Sequence, residues 1–399
     1  MAACYREAGE RSAQAETEWN AKWESFKSRK PQVAAEVERR FRRELPEGWF
    51  ELLPRFSPSD KAEATRGLSQ KVLNAIIPAL PDIMGGSADL TPSNKTLLKG
   101  FESFSKETPQ NRYIRFGVRE HGMASICNGI AAYGGIVPYG GTFLNFIGYA
   151  AGGVRLSALS GFHVLYIATH DSIGLGEDGP THQPIEMLTM LRAMPHMDVH
   201  RPADGNETSA CYAMALRRGG RPATLALSRQ NLPHLAGSSI EKAMRGAYVV
   251  FDSVHDAPED GAASGNGAAA PQGTPDVILA ATGSEVSLCV DAARRLEGKR
   301  VWVVSMPCQE VFLEQDLAYR QSIFPRGAPV VAVEAAATLG WERYSHAQVG
   351  LDRFGASGKG PDVYEYLGMT DATVADRAQR LLAVYPPGSA PLVPAVLEL

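Results

Sequence analysis

The sequence has little that would mark it for a special environment. Its 399 residues include only five cysteines (Cys4, Cys127, Cys211, Cys289, Cys308), odd in number, far apart and without a CxxC pair. This excludes a disulfide framework or zinc ribbon and points to a reducing compartment. Neither sign of charge is in excess: 40 Lys plus Arg stand against 44 Asp plus Glu, a net charge of -4. With no global field for nucleic acid or an anionic membrane, any phosphate must be held by a few local groups. The longest uncharged stretch, Met123 to Val154, contains Pro138 and eight glycines, so it reads as buried core and not as a membrane span of about 20 apolar residues. The N-terminus lacks a signal-peptide core, and its acidic residues disfavour a transit peptide. A cytoplasmic location is expected, with the chloroplast as the alternative if further chain precedes Met1.

What is present is ordinary for a globular chain, 44% hydrophobic and 21% charged, and the length suggests two to three domains at about 150 residues each. Residues 1–56 are dense in charge. Trp19, Trp23 and Phe26 fall at helical spacing, and Val33, Val37, Phe41 and Leu45 recur every fourth residue, predicting an amphipathic helical arm that packs on a neighbouring domain. Residues 57–236 alternate short apolar runs with helical stretches: Leu68, Val72, Leu73 and Ile76 share one helix face, while HVLYIATHD and TLALSRQNLP read as strands that empty into polar loops. Such alternation predicts a parallel sheet with its ligands at the carboxyl ends of the strands. Residues 237–275 read as a connecting segment whose Ala/Gly/Pro-rich part, His255 to Pro275, is an insertion in a surface loop. Residues 276–399 read as a second α/β domain, opening on a strand, a Ser-capped helix and a strand. The fold class predicted is α/β, with two doubly wound, mainly parallel-sheet domains behind a helical connector arm.

Four groups of residues could carry chemistry. Glu120, in YIRFGVREHGM, should lie near a helix start in apolar surroundings. It either complements the helix dipole or is a desolvated carboxylate suited to proton donation. Phe143, Phe146 and Tyr149 are spaced to share a helix face, as core or as a ligand pocket; Gly140, Gly141, Gly152 and Gly153 around them favour the pocket by letting backbone come close. THDSIGLGEDGPTHQP gathers His170, Asp171, Glu177, Asp178 and His182 beside three glycines, as a metal site or as a set that orients the oxygens of a polar substrate. Arg66, Ser93 and Arg229 are candidates for phosphate, Arg through its planar fork. PADGNE, at Pro202 to Glu207, with Asn231 beyond, only faintly resembles a Mg²⁺-diphosphate signature and reads as a turn.

Taken together, GGSADLTPSN, RYIRFGVREHGM, PYGGTFLNFIGYAAGGVRLSALSG, ATHDSIGLGEDGPTHQPIE, RPADGNE, LSRQNLP, ATGSEVSL and DRFGASGKGP resemble transketolase from about Trp19 to nearly the C-terminus. The resemblance implies a transferase that moves a two-carbon ketol unit from a ketose phosphate to an aldose phosphate, in the pentose phosphate pathway or Calvin cycle. It implies that residues 57–236 bind the pyrimidine half of thiamine diphosphate. Glu120 would protonate the aminopyrimidine, and Phe143, Phe146 and Tyr149 would surround it with Asp89 nearby. His170, Asp178 and His182 would contact sugar oxygens, while Arg66, Ser93, His182 and Arg229 would hold the phosphate.

The family's Mg²⁺- and diphosphate-binding domain has no counterpart here, and residues 1–56 look like the connector that follows it. The chain alone is therefore expected to bind cofactor weakly and catalyse little. It would act as a homodimer or with a separate diphosphate-binding chain, with sugar phosphates as partners and neither nucleic acid nor membrane. The alternatives are dihydroxyacetone synthase, deoxyxylulose phosphate synthase, an oxoacid dehydrogenase beta-type subunit, a metal-dependent enzyme, or a non-catalytic interaction protein.

Overall fold

A computed structural model describes residues 2–256 and 273–397; most of the His255 to Pro275 insertion lies outside them. The strands are β1 (Ile83–Ser87), β2 (Tyr113–Arg115), β3 (Val137–Phe143), β4 (Leu165–Thr169), β5 (Asp198–His200), β6 (Ala223–Leu227), β7 (Tyr248–Asp252), β8 (Val277–Ala281), β9 (Val301–Ser305), β10 (Val330–Val333) and β11 (Ala347–Val349). The first six form one sheet in the order β2-β1-β3-β4-β6-β5 and the rest a second in the order β11-β10-β8-β9-β7. Every pairing is parallel except β7 with β9. Parallel strands covered on both faces read as continuous apolar runs, and β4, β6, β8, β9 and β10 are buried at every position.

The helices are α1 (Ala2–Arg29), α2 (Pro31–Phe41), α3 (Thr65–Ile76), α4 (Thr91–Asn94), α5 (Glu120–Tyr133), α6 (Ile147–Ser160), α7 (Met187–Arg192), α8 (Gly205–Arg217), α9 (Ile240–Ala243), α10 (Glu285–Arg294), α11 (Gln309–Leu313), α12 (Leu317–Ile323), α13 (Gly360–Tyr366) and α14 (Asp371–Val384). The face predicted for α3 is the one it buries, at Leu68, Val72, Leu73 and Ile76. In α8 every residue from Gly205 to Leu216 is buried, as expected of a helix lying between layers. One apolar cluster accordingly runs from Leu165 and Leu225 of the first sheet through Tyr212 of α8 to Leu279 and Val303 of the second. No described helix is long and apolar enough to cross a membrane.

Several expectations need correction. PADGNE is the start of α8: the Asp204 carboxylate accepts from the Glu207 amide at 2.9 Å. Glu207 reaches the second sheet, accepting from Tyr248 at 2.7 Å and Ser305 at 2.5 Å, and burial beside Asp204 pushes its carboxyl up to about 7. The segment 237–275 is more than a connection, because it supplies α9 and the antiparallel edge strand β7. Ser284 occupies the N-cap position of α10 without capping it; its hydroxyl donates to Glu285 instead. The arm is helical, but α1 buries no residue and Trp19 is 58% exposed, its ring 5.5 Å from that of Trp23. In α2 the buried residue is Ala34, while Val33 and Phe41 are 52% and 55% exposed. Phe41 leans on Gly134, where α5 ends with φ +92°.

Candidate functional site

The strand order places the ends of β1, β3, β4 and β6 side by side, so the loops leaving them meet. Asp89 follows β1, Phe143 ends β3, His170 follows β4 and Arg229 follows β6. Arg66 joins them because the N-terminus of α3 is tied to the β6 loop: the Thr65 amide donates to Ser228 Oγ at 2.9 Å, the Ser228 amide to Thr65 Oγ1 at 2.7 Å, and the Ala64 amide to Asn231 Oδ1 at 3.0 Å.

His170 is the centre of the cluster. Its ring lies 3.6 Å from that of Phe143, and Arg66 Nη1 donates to its Nε2 at 3.2 Å and to the Ser93 carbonyl at 3.0 Å. A guanidinium only donates, so Nε2 accepts and Nδ1–H donates to Thr169 Oγ1, 2.8 Å away. Behind it Asn94 donates to Thr169 Oγ1 at 2.8 Å, and Ser87 donates to Asn94 Oδ1 at 2.6 Å. Burial, reinforced by the charges of Arg66 and Arg229 and by His182, pushes the His170 imidazole down to about 3 and keeps it neutral. Burial and Arg229 likewise lower Arg66. Neither arginine forms an ion pair among the described residues. Two neighbouring guanidiniums, one half-buried, therefore stand here with no carboxylate to neutralise them.

The aromatic row is present, although not on one helix. Phe143 ends a strand, Phe146 sits in the 3₁₀ turn Leu144–Phe146 and Tyr149 is in the first turn of α6. Their centroids are nevertheless 5.4 and 5.8 Å apart in sequence order, His182 stands edge-on 5.1 Å from Phe146, and Tyr149 is 71% exposed at the open end. The nearby glycines serve packing within the chain: a Cβ at Gly153 would sit 2.8 Å from that of Ala124, and one at Gly141 2.8 Å from Thr96 Cγ2. They bring α5 and β3 close to their own neighbours.

The remaining candidates lie around this cluster. Glu120 is the first residue of α5, half-buried, and the next residue, His121, meets Gly152 of α6 at 3.4 Å from the position of a Cβ. Asp89 (φ +62°) and Asp178 are exposed, and neither these three carboxylates nor the Ser93 hydroxyl forms a side-chain hydrogen bond among the described residues. Asp171 faces the other way, fully buried against Arg201 at 2.9 Å. The five ionisable groups of the 170–182 loop therefore do not converge, and the described residues hold no group of three or more His, Cys, Asp or Glu placed to bind a metal. Sequence reasoning missed Ser87, Asn94 and Thr169, which orient His170. Only the polar character of GGSADLTPSN and of the β4 end hinted at them.

Residues 61–234 match the family described as transketolase, pyrimidine binding domain, and residues 267–370 match the transketolase-like C-terminal domain. A transketolase of Scheffersomyces stipitis is 49% identical over 96% of this chain and 55% of its own length, and a chloroplastic transketolase of Solanum tuberosum is 48% identical over 92% and 48%. A crystal structure of the Pichia stipitis transketolase with sedoheptulose 7-phosphate is 48% identical, superposing with a TM-score of 0.90 on 99% of this chain and 57% of that one. The chain thus spans about half the length of the curated relatives it matches.

Proposed function

The chain belongs to the transketolase family, with its pyrimidine-binding and C-terminal domains, and from that premise we propose that it forms the sugar-phosphate and pyrimidine half of a ketol-transfer site. The observation that carries this reading is the unpaired Arg66 and Arg229 beside a neutral His170 and an open aromatic row. Arg66 and Arg229, with the Ser93 turn and His182, would hold the phosphate. His170 and Asp178 would meet the sugar hydroxyls, His170 through an Nε2 that Arg66 now occupies. A second class of reading, a metal-dependent enzyme on the 170–182 loop, has no geometric support among the described residues.

The row from Phe143 to Tyr149 fits one face of a planar heteroaromatic ring, since its outermost member presents an exposed ring in the first turn of α6. Phe143, Phe146 and Tyr149 would hold the pyrimidine of thiamine diphosphate, near Asp89, and Glu120 would share a proton with a ring nitrogen. The cofactor, when bound, supplies the carbanion chemistry of two-carbon transfer. Diphosphate and Mg²⁺ need paired hard oxygen ligands, which we place on a further domain, in the same protein or in a separate chain. Activity of residues 1–399 alone would be low. A second copy of the chain would cover the exposed Val118, Ile126, Tyr133, Leu156 and Leu159 on and beside α5 and α6.

Arg229→Ala tests the phosphate assignment in the completed enzyme. KM for a phosphorylated acceptor should rise by about 10- to 100-fold, the loss of one charge-assisted hydrogen bond of about 1.5–3 kcal/mol, with KM for an unphosphorylated acceptor nearly unchanged. Equal losses for both acceptors would count against it.

A further inference from the structure

We propose that the second domain is the scaffold that holds the substrate loop, residues 170–183, with its own Glu285 and Tyr364, and the first-domain Arg201 that Glu285 anchors, as the positioning residues. The first domain holds the loop through Arg201 at Asp171 and through Asn145, which donates to the Thr181 carbonyl at 2.6 Å, and the second domain holds it at several further points. Asp171 accepts from Arg201 Nε at 2.9 Å, and Arg201 in turn donates to Glu285 Oε2 at 2.5 Å and to the Thr282 carbonyl at 3.0 Å at the start of α10. Tyr364 of α13 donates to Glu285 Oε1 at 2.7 Å and shares a hydrogen bond with Ser172 at 3.3 Å. Farther along, Ser357 donates to the Glu177 carbonyl at 2.5 Å, and Gln183 donates to the Ala356 carbonyl at 2.9 Å. Just beyond the loop the Ala337 amide donates to the Ile185 carbonyl at 2.8 Å. Both ends and the middle are held, and Asp178 and His182 lie between the grips.

His170 itself has φ +61°, a left-handed conformation that a non-glycine residue keeps only when its surroundings over-determine it. Thr169 is fixed within β4 on one side and Asp171 by Arg201 on the other. By anchoring Arg201 through Glu285 and Thr282, the second domain thereby sets the backbone that aims the imidazole at Arg66 and away from water. A bare chain-to-chain contact would not need a fully buried Arg, Asp and Glu at this place.

Two substitutions in the second domain test this without touching the site. Tyr364→Phe removes the phenolic link to Ser172 and Glu285. Gly355→Ala puts a Cβ on top of Gln183 Oε1. In the full chain, each should speed amide exchange across 172–183 at least tenfold, with the strands of both sheets unchanged. Each should also make the His170 imidazole, expected to show no titration by NMR between pH 5 and 8 in the parent, begin to titrate, moving toward the ordinary value of about 6.5. Unchanged loop exchange in both variants, exchange raised equally in the strands, or a loosened loop with His170 still neutral would overturn the proposal. The inference rests on reading 170–183 as the substrate loop, yet these readouts need neither cofactor nor substrate. A released loop in a protein without ketol transfer would therefore refute the functional reading alone.

Discussion

Glu120→Gln, introduced into the chain completed with a diphosphate-binding domain, is expected to lower ketol transfer by about 10²- to 10⁴-fold, the range supplied by a positioned acid–base group. Folding should be untouched. Glu120 is half-buried at the first position of α5 and bonds to no other side chain among the described residues, so an isosteric amide there should change stability by no more than about 0.5 kcal/mol. A rate within a factor of about 3 of the parent, under saturating cofactor, would remove Glu120 from the proton-sharing role. A large loss of rate together with a lowered unfolding midpoint would make it structural.

The largest effect on stability is expected at Arg201. Its side chain is 1% exposed, as is that of Asp171, and Glu285 is wholly buried; Glu334 stands 3.8 Å from the same guanidinium. Burial pushes Asp171 up despite Arg201. At Glu334 burial is outweighed by Arg192, with help from Arg201, and the carboxyl lies at about 2. Removing the cation leaves acids in a low-dielectric interior without compensation, so Arg201→Ala should cost about 3–5 kcal/mol in urea unfolding or prevent folding, with Arg201→Lys less damaging. The exposed pair Arg42–Glu44, 2.9 Å apart with both side chains more than half exposed, is screened by solvent, so Arg42→Ala should leave the unfolding midpoint nearly unchanged. Equal, small losses at the two arginines would contradict the view that this buried network joins the domains.

These contrasts show where the amino-acid sequence was legible. The face of α3, the strand-to-loop passages at His170 and Arg229 and the two-sheet α/β plan follow from local periodicity. That periodicity survives because each such segment packs as it would in any parallel sheet. Spacing misled at Phe143, Phe146 and Tyr149, where pairing of β3 with β1 and β4 overrides helical register. The rings still align because a strand end, a 3₁₀ turn and a helix start follow in immediate succession. Tyr248 to Asp252 alternates buried and half-buried residues as an edge strand does, yet next to a low-complexity stretch its alternation reads as connection.

Asp171 shows the other limit. Its neighbour His170 faces the site and it does not, because an arginine thirty positions later captures it, and no local pattern carries that pairing. The roles of Asn94 and Thr169 were hidden for the same reason, since they acquire meaning only when α4 is laid over the end of β4. The first helix of the arm does not pack on the body as its spacing suggested, because its aromatic residues stack on one another, Trp23 on Phe26 at 5.5 Å, whereas farther along Phe41 rests on α5 and Trp49 is buried.

The central claim, that Arg66, Arg229, His170 and the aromatic row belong to a ketol-transfer site, is tested most directly by following carbon. A ketose phosphate labelled with ¹³C at its first two carbons is incubated with an aldose phosphate, thiamine diphosphate, Mg²⁺ and the chain completed by a transketolase diphosphate-binding domain. Both labelled carbons are expected to move together onto the aldose phosphate. Label that stays in the donor, when the same added domain supports transfer with the corresponding half of an established transketolase, would contradict it.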